Sequence, residues 1–399
     1  MSRYCRRLRR ASRPLLVALT FVLTLSYSCA PALAVVPATN TVPFIGNAGA
    51  FTSAVRIINN QGNQGTATLF HAKIDPVNPD YLDLCFVTAD HVMRNTVGGP
   101  NYADDTLPYD NVDAYGGTPL GMQPNRRDFI GGVGVGSASD PSGFFLTSAN
   151  AIIASEVRLG EQIDKHNGKP TDIAFVGVTI DLTKLPLQNN PALAQAAAAA
   201  ILLGMPSIPL ATAPAVAPQA PGGAPFDVNM MGGYGVTGSF DGAFPLYDYV
   251  YHPVLAAEAY GRERNFDNTV QAYETVNTAV YQYPAYRWNL GMESAAIQNA
   301  GDPGAGMPGD SGAAMQLNNN ITAILTAGRM DDLGLGRLGI KNGARELAAQ
   351  ITPNAFANLE YWCDNYSYTT AVPEPSTCVL AALGALLIGV TIRRNRAES

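Results

Sequence analysis

Gly309-Asp310-Ser311-Gly312 places a serine between residues that let the backbone turn sharply, a setting that presents the hydroxyl. Gly309 also allows backbone N–H groups to turn inward. Those of Gly309 and Ser311 would then hold an oxyanion, which needs fixed donors where negative charge develops. The competing reading of the segment is an ordinary polar turn. A serine hydroxyl is a weak nucleophile and needs a base. The chain offers four histidines: His71, His91, His166 and His252. His91 follows an apolar run, Leu84 to Ala89, that ends in small residues, so its ring is expected at a strand end and not in a core. His71 sits inside a strand-like run, and His166 and His252 lack such context. A third member must orient and stabilise the imidazolium. Asp172 opens the apolar run Asp172-Ile173-Ala174-Phe175-Val176 and is the first choice; a plain strand-start aspartate is the alternative. Asp181, Asp90 and Asp113 are weaker contenders, and the side chain of Asp90, adjacent to His91, would normally point away from the ring.

The elements that must position these groups read as short strands. Runs at 51–58, 65–73, 82–89, 151–159 and 172–180 are rich in Val, Ile, Phe and Thr and are separated by Asn, Gly and Asp-Pro turn signals. Residues 94–143 read as a long loop with at most one hairpin. Asn190-Pro191 followed by an Ala-rich stretch to Gly204 reads as one helix, and Pro/Ala-rich residues 205–225 read as a semi-rigid linker between two halves. The second half has strand-like runs at 227–236, 246–251, 285–288, 312–317 and 321–327. It ends in a helical stretch over 344–361, interrupted near Pro353.

Thr88-Ala89-Asp90-His91, Asp172-Ile173-Ala174-Phe175 and Gly309-Asp310-Ser311-Gly312 resemble the His, Asp and Ser motifs of trypsin-like serine proteases, in that family's order. Gly233-Tyr234-Gly235 is similar to the Gly-aromatic-Gly segment between the last two motifs. Ile321 to Leu325 resembles the strand after the nucleophile, with Gly328 where the substrate-binding wall follows. The resemblance spans about 51–350. It implies an all-β fold of two six-stranded antiparallel β-barrels with a C-terminal helix and a cleft between the barrels. His91 would be base then acid, Asp172 the orienting acid, Ser311 the nucleophile, and Gly309 and Ser311 the oxyanion donors. Ala305, six residues before the nucleophile, would form the base of the primary specificity pocket. Lacking an acid there, the pocket is expected to favour small or apolar side chains. The chain departs from the family in having Asp90 and Val92 around the histidine and Gly312-Ala313-Ala314 after the serine. Its His91-to-Asp172 interval is also long, which places an insertion in 94–165.

The two ends carry other information. Six arginines and no acid in residues 1–14, an apolar run from Leu15 to about Leu25, and Ala32-Leu33-Ala34 read as a secretory signal peptide over 1–34. A buried N-terminal helix is the alternative. At the other end, Val372-Pro373-Glu374-Pro375-Ser376-Thr377, an apolar stretch from Cys378 to Ile392, and Arg393, Arg394 and Arg396 read as a short membrane segment with a cytoplasmic basic end. This end resembles the PEP-CTERM sorting signal of exported Gram-negative proteins, which implies processing by an exosortase; a plain tail anchor is the alternative. The layout expected is therefore 1–34 signal peptide, 35–185 first barrel, 186–225 helix and linker, 226–362 second barrel with helix, and 363–399 spacer, sorting motif, membrane segment and basic tail.

The formal charge of −7 over 399 residues conceals this division. Without residues 1–34 and 372–399 the chain keeps 16 basic and 30 acidic residues, a net of −14. Such an acidic body excludes nucleic acid as a general partner. Of five cysteines only Cys85 and Cys363 stay in that body; an oxidising compartment permits their pairing, but sequence cannot place them within reach. Neither an H-E-x-x-H motif nor a Cys pair with zinc spacing is present, so no metal and no cofactor is expected. Two functions fit: an exported serine endopeptidase acting on polypeptides, anchored in the inner membrane until its tail is processed, or a non-catalytic binding or matrix protein of the cell envelope with the same fold.

Overall fold

The structure, a computed structural model, describes residues 53–59, 64–94, 130–136, 143–147, 149–185, 195–216, 223–234, 238–243, 246–251, 264–300, 304, 306, 309–327, 331–334 and 337–366. In the first half run β1 (Ala54–Asn59), β2 (Gln64–Ile74), β3 (Tyr81–Thr88), α1 (Asp90–Met93), β4 (Ile130–Val135), β5 (Phe144–Leu146), β6 (Ile152–Arg158), α2 (Gly160–Ile163), β7 (Lys165–His166), β8 (Lys169–Pro170) and β9 (Ala174–Asp181). Then come α3 (Gln195–Gly204), β10 (Phe226–Gly233), β11 (Gly238–Ala243), β12 (Leu246–Tyr251), β13 (Arg264–Val270), β14 (Ala272–Asn277), β15 (Gln282–Asn289) and α4 (Ala295–Ala300). The chain continues through β16 (Ala314–Leu317), β17 (Asn320–Ala327), β18 (Asp331–Gly334), β19 (Arg337–Ile340), β20 (Arg345–Gln350) and α5 (Pro353–Asn365).

The strands form two curled antiparallel sheets, ordered β5-β4-β1-β2-β3-β9-β6 and β13-β10-β16-β17-β20-β15-β14. The all-β expectation with two such sheets and a C-terminal helix holds; among the described residues each sheet shows seven strands, and the second half adds a four-stranded sheet, β11-β12-β19-β18. Expected strand positions agree to within a few residues, and β4 lies in the stretch expected to be loop. The expected helix over 344–361 is corrected. Its first part is β20, because Arg345–Gln350 lies between β15 and β17 and completes both ladders. Pairing on both edges and burial on both faces override the helix propensity of Leu and Ala there.

Period-two alternation divides the second sheet between two cores. Tyr283, Ala285, Ala314, Ile324, Leu347 and Ala349 face the cluster that fills the first half. Their neighbours Tyr286, Trp288, Ala313, Met315, Leu325 and Ala348 close a second cluster with Val228, Phe266 and Val270. The Pro/Ala-rich segment is no free spacer over its described part. Met205, Ile208 and Leu210 are buried, Ile208 N–H donates to Leu69 O, and Ala211 N–H donates to Ile321 O. The segment therefore ties β2 of the first sheet to β17 of the second.

Thr352 caps α5, its hydroxyl accepting from Ala355 N–H at 3.0 Å and donating to Asp164 Oδ2. The helix lies on the first sheet, and Cys363 is joined to Cys85 of β3 by a disulfide with Cα atoms 5.8 Å apart. The ring of Tyr366 rests on Gly177, where any Cβ would meet ring atoms within 2.5–2.8 Å, so β9 needs glycine at that crossing. Among the described residues no helix is long and apolar enough to cross a membrane. The signal peptide expected at 1–34 and the membrane segment expected at 378–392 lie outside those residues.

Candidate active site

Register brings the histidine and the aspartate together. β3 pairs antiparallel with β9, Thr88 opposite Ala174, so the chain leaving Thr88 and the chain entering Ala174 meet at one end of the sheet. His91 lies three residues past that pair, in the single turn α1, and Asp172 two residues before it. His91 Nδ1 is 2.9 Å from Asp172 Oδ2 and 3.1 Å from Oδ1, and the backbone N–H of His91 donates to Asp172 Oδ1 at 3.0 Å. The carboxylate thus grips ring and backbone of one residue. The histidine side chain is 11% exposed and the aspartate 5%, so the pair is shielded yet still reaches solvent.

Ser311 comes from the other sheet, in the turn before β16. Gly309 and Gly312 on either side adopt φ of 97° and 93°, backbone that side chains with a Cβ rarely take. The turn is fastened across to the first sheet. Thr66 N–H of β2 donates to Ser311 O at 2.8 Å, and Thr66 Oγ1 donates to Gly309 O at 3.1 Å. Thr66 O in turn accepts from the Thr88 hydroxyl at 2.6 Å, three residues before His91. Gly65 marks how close the two sides come. A Cβ on it would lie 2.6 and 2.7 Å from the Val92 methyls and 3.0 Å from Ser311 O. Val92, next to the histidine, and the serine therefore flank the same glycine.

Of the residues expected from sequence, His91 and Asp172 are in direct contact, and the turn of Gly309 and Ser311 is hydrogen-bonded to Thr66 of the first sheet. Ala305 and Gly328 lie outside the described residues. Asp90 is not turned toward the ring: its carboxylate meets Arg94 and accepts from Gly160 N–H at 2.8 Å. Two participants escaped the sequence reading. Thr66 resembled any β-branched residue in a strand. Glu346 lay within a stretch expected to be helical, and is fully buried behind the serine turn. Gly306 N–H donates to both of its oxygens at 3.1 Å and Trp288 Nε1–H to Oε2 at 2.7 Å. Burial pushes this carboxyl up to about 8, the two N–H donors oppose the rise, and the nearby acids Asp310 and Glu293 add to it. Among the described residues no group of His, Cys, Asp and Glu has the arrangement of a metal site.

Residues 371–396 match the family model described as the PEP-CTERM protein-sorting motif. A comparison with curated protein sequences returns no match. Among solved structures, human heparin binding protein superposes with a TM-score of 0.38 at 10% identity, over 83% of this chain and 97% of that one. A mutant of the same human protein gives 0.36 over the same shares, also at 10% identity. At those values the superposition adds no weight, and the strand order described above carries the fold. The chain bears a PEP-CTERM sorting motif, which implies export to a Gram-negative cell envelope and recognition by an exosortase-type enzyme, behind a mostly β body of two curled antiparallel sheets.

Proposed function

We propose that the protein is an exported serine endopeptidase with Ser311 as nucleophile, His91 as general base and then acid, and Asp172 as the orienting carboxylate. The observation that carries this reading is the double contact of Asp172 with ring and backbone of His91, beside a serine turn hydrogen-bonded to Thr66. With Nδ1–H held by Asp172, the imidazole presents Nε2 as the acceptor. Ser311 Oγ attacks the peptide carbonyl carbon while its proton passes to His91 Nε2. The N–H groups of Gly309 and Ser311 receive the oxyanion. The C–N bond breaks as His91 returns the proton to the leaving amine, which gives an acyl-enzyme. Water then attacks the ester, its proton passes through His91 back to Ser311 Oγ, and the acid product leaves. The substrate class is polypeptide. The 1–34 segment is removed on export, and the apolar segment 378–392 holds the body at the inner membrane until the tail is processed.

A fluorophosphonate probe tests the proposal. It should label the intact mature protein and fail to label the Ser311→Ala variant. Absence of labelling on the intact protein would overturn it in favour of a binding or matrix protein on the same fold.

A further inference from the structure

The turn that carries His91 is too short to hold itself. α1 has four residues, and closing one helical turn costs more order than its hydrogen bonds return. Ala89, at its N-cap, offers no side-chain cap. The turn is fixed from outside. Gly160 N–H, at the start of α2, donates to Asp90 Oδ1. Asn59 Nδ2, at the end of β1, donates to Val92 O at 3.1 Å and to Arg94 O at 3.4 Å. Arg94 follows the turn and folds back over it. Its backbone N–H donates to Asp90 O at 3.1 Å and its Nε to Asp90 Oδ2. Its Nη2 donates to both Glu161 oxygens, at 3.2 and 3.1 Å. The guanidinium carbon stands 5.2 Å from the centre of the Tyr281 ring, which comes from the β14–β15 turn of the second sheet. One side chain thus touches the histidine turn, α2 and the other sheet.

Stability is a poor reason for this arrangement. The side chains of Asp90 and Arg94 are both wholly buried, and desolvating two charges cancels most of what their attraction returns. Apolar residues of similar volume would fill the space at lower cost. What apolar residues lack is direction: the planar guanidinium meets Asp90 and Glu161 at once in a fixed fork.

We propose that Arg94 is a positioning residue for His91, fixing the α1 turn against α2 and Tyr281 so that the imidazole keeps its contact with Asp172 and its aim at Ser311. The inference deepens the serine-protease reading of this site and rests on it for the role of the histidine. The charged and titratable groups around the turn are Asp172 beside the ring, Asp90 and Arg94 on the turn, Glu161 on α2 and Tyr281 on the second sheet. Burial lifts the Asp90 carboxyl above its ordinary range, and the Arg94 charge works against that rise. Losing the guanidinium would therefore favour a neutral Asp90 and free the turn.

The test uses the mature chain and the variants Arg94→Lys, Arg94→Met and Glu161→Gln. Three quantities are read: the NMR signal of the proton between His91 Nδ1 and Asp172, the pH midpoint of the His91 ring, and the rate of fluorophosphonate labelling. Arg94→Lys keeps the charge but not the fork. It should broaden or lose the bridging-proton signal and slow labelling by about tenfold or more, since small misplacements of catalytic groups are costly. Arg94→Met should do the same more strongly. Glu161→Gln, which weakens one arm of the Arg94 fork, should weaken the bridging-proton signal and slow labelling by a smaller factor. Wild-type bridging signal, midpoint and labelling in folded Arg94 variants would overturn the proposal. If Arg94→Met fails to fold, unchanged signals in Arg94→Lys and Glu161→Gln overturn it just the same. If even the wild type does not label, the catalytic reading falls, and the bridging proton and ring midpoint still decide whether Arg94 positions the histidine.

Discussion

The first sheet presents His91 and Asp172 from β3 and β9, strands that lie side by side within it, whereas the second presents Ser311 from a turn that precedes β16 and is hydrogen-bonded to Thr66 of the first. The histidine–aspartate geometry is thus set inside one body, under a capped helix and a disulfide. The serine is set between two bodies. Its turn hangs on Thr66 on one side and, through Gly312 N–H, on Leu325 O on the other. The difference teaches that His91 and Asp172 are built to keep one geometry, while the register of Ser311 depends on how the sheets dock. Changes in the first sheet should therefore alter the His91–Asp172 pair itself, and changes at the seam should misplace the serine and leave that pair intact.

The largest effect is expected inside the first sheet. Asp172→Asn keeps the shape but no longer holds the Nδ1–H tautomer of His91, and labelling or peptide hydrolysis should fall by about 10⁴-fold with little change in melting temperature. A loss below tenfold would remove Asp172 from the mechanism. Next is the disulfide between Cys85 and Cys363, whose residues are 278 apart in sequence. Replacing both by alanine frees a very long loop in the unfolded chain, and denaturant unfolding should show a loss of about 3–5 kcal/mol. That loss should loosen α5 from the first sheet, seen as faster amide exchange in 353–365. Uniform loosening of both sheets would contradict the division of labour drawn above.

Thr66→Val probes the seam. It keeps a β-branched shape in β2 but removes the hydroxyl that donates to Gly309 O and accepts from Tyr234 N–H at 3.0 Å. Leaving that buried N–H unpaired costs about 1–3 kcal/mol. Labelling of Ser311 should slow by about 10- to 100-fold while the proton signal between His91 and Asp172 stays as in the wild type. If the signal is lost as well, the two halves of the site are not separable in this way.

Much of this was legible in the sequence because local chemistry wrote it there. The apolar runs at 82–89 and 172–180 correspond to β3 and β9, the neighbouring strands that lead to His91 and from Asp172. Glycines 309 and 312 marked a turn that needs positive φ. What stayed hidden depends on partners distant in the chain. Arg345–Gln350 is a strand because β15 and β17 accept it, and nothing in its own residues says so. Thr66 matters through Ser311, Gly309 and Thr88, and Arg94 through Glu161 and Tyr281; in each case the residue type alone is commonplace. The long stretch after Arg94 was expected to be loop with at most one hairpin, and β4, which lies in it, is held by pairing with β1 and with β5.

The smallest effect per step, and the sharpest comparison of the two sheets, comes from one buried acid in each. Glu346 in the second sheet is raised from 4.5 to about 8 by burial, against its two N–H donors, with Asp310 and Glu293 adding to the rise. Asp83 in the first sheet is raised from 3.8 to about 6, again by burial, with the Thr179 hydroxyl and Lys73 opposing and Asp75 adding. Both shifts have the same sign. Between the unfolded and folded values the folded chain holds a proton that the unfolded chain has released, so stability is fully present below the lower value and falls as pH rises. The slope is about 1.4 kcal/mol per pH unit for each group while it lasts. Against Glu346→Gln, the wild type should lose relative stability steadily from about pH 5 to pH 8. Against Asp83→Asn, the relative loss should end near pH 6. Urea unfolding of the three proteins at pH 5, 6, 7 and 8 reads both slopes. A wild-type curve parallel to that of Glu346→Gln across this range would mean that Glu346 is already ionised behind the serine turn, and that the second sheet carries a buried charge where the comparison assigns it a neutral strut.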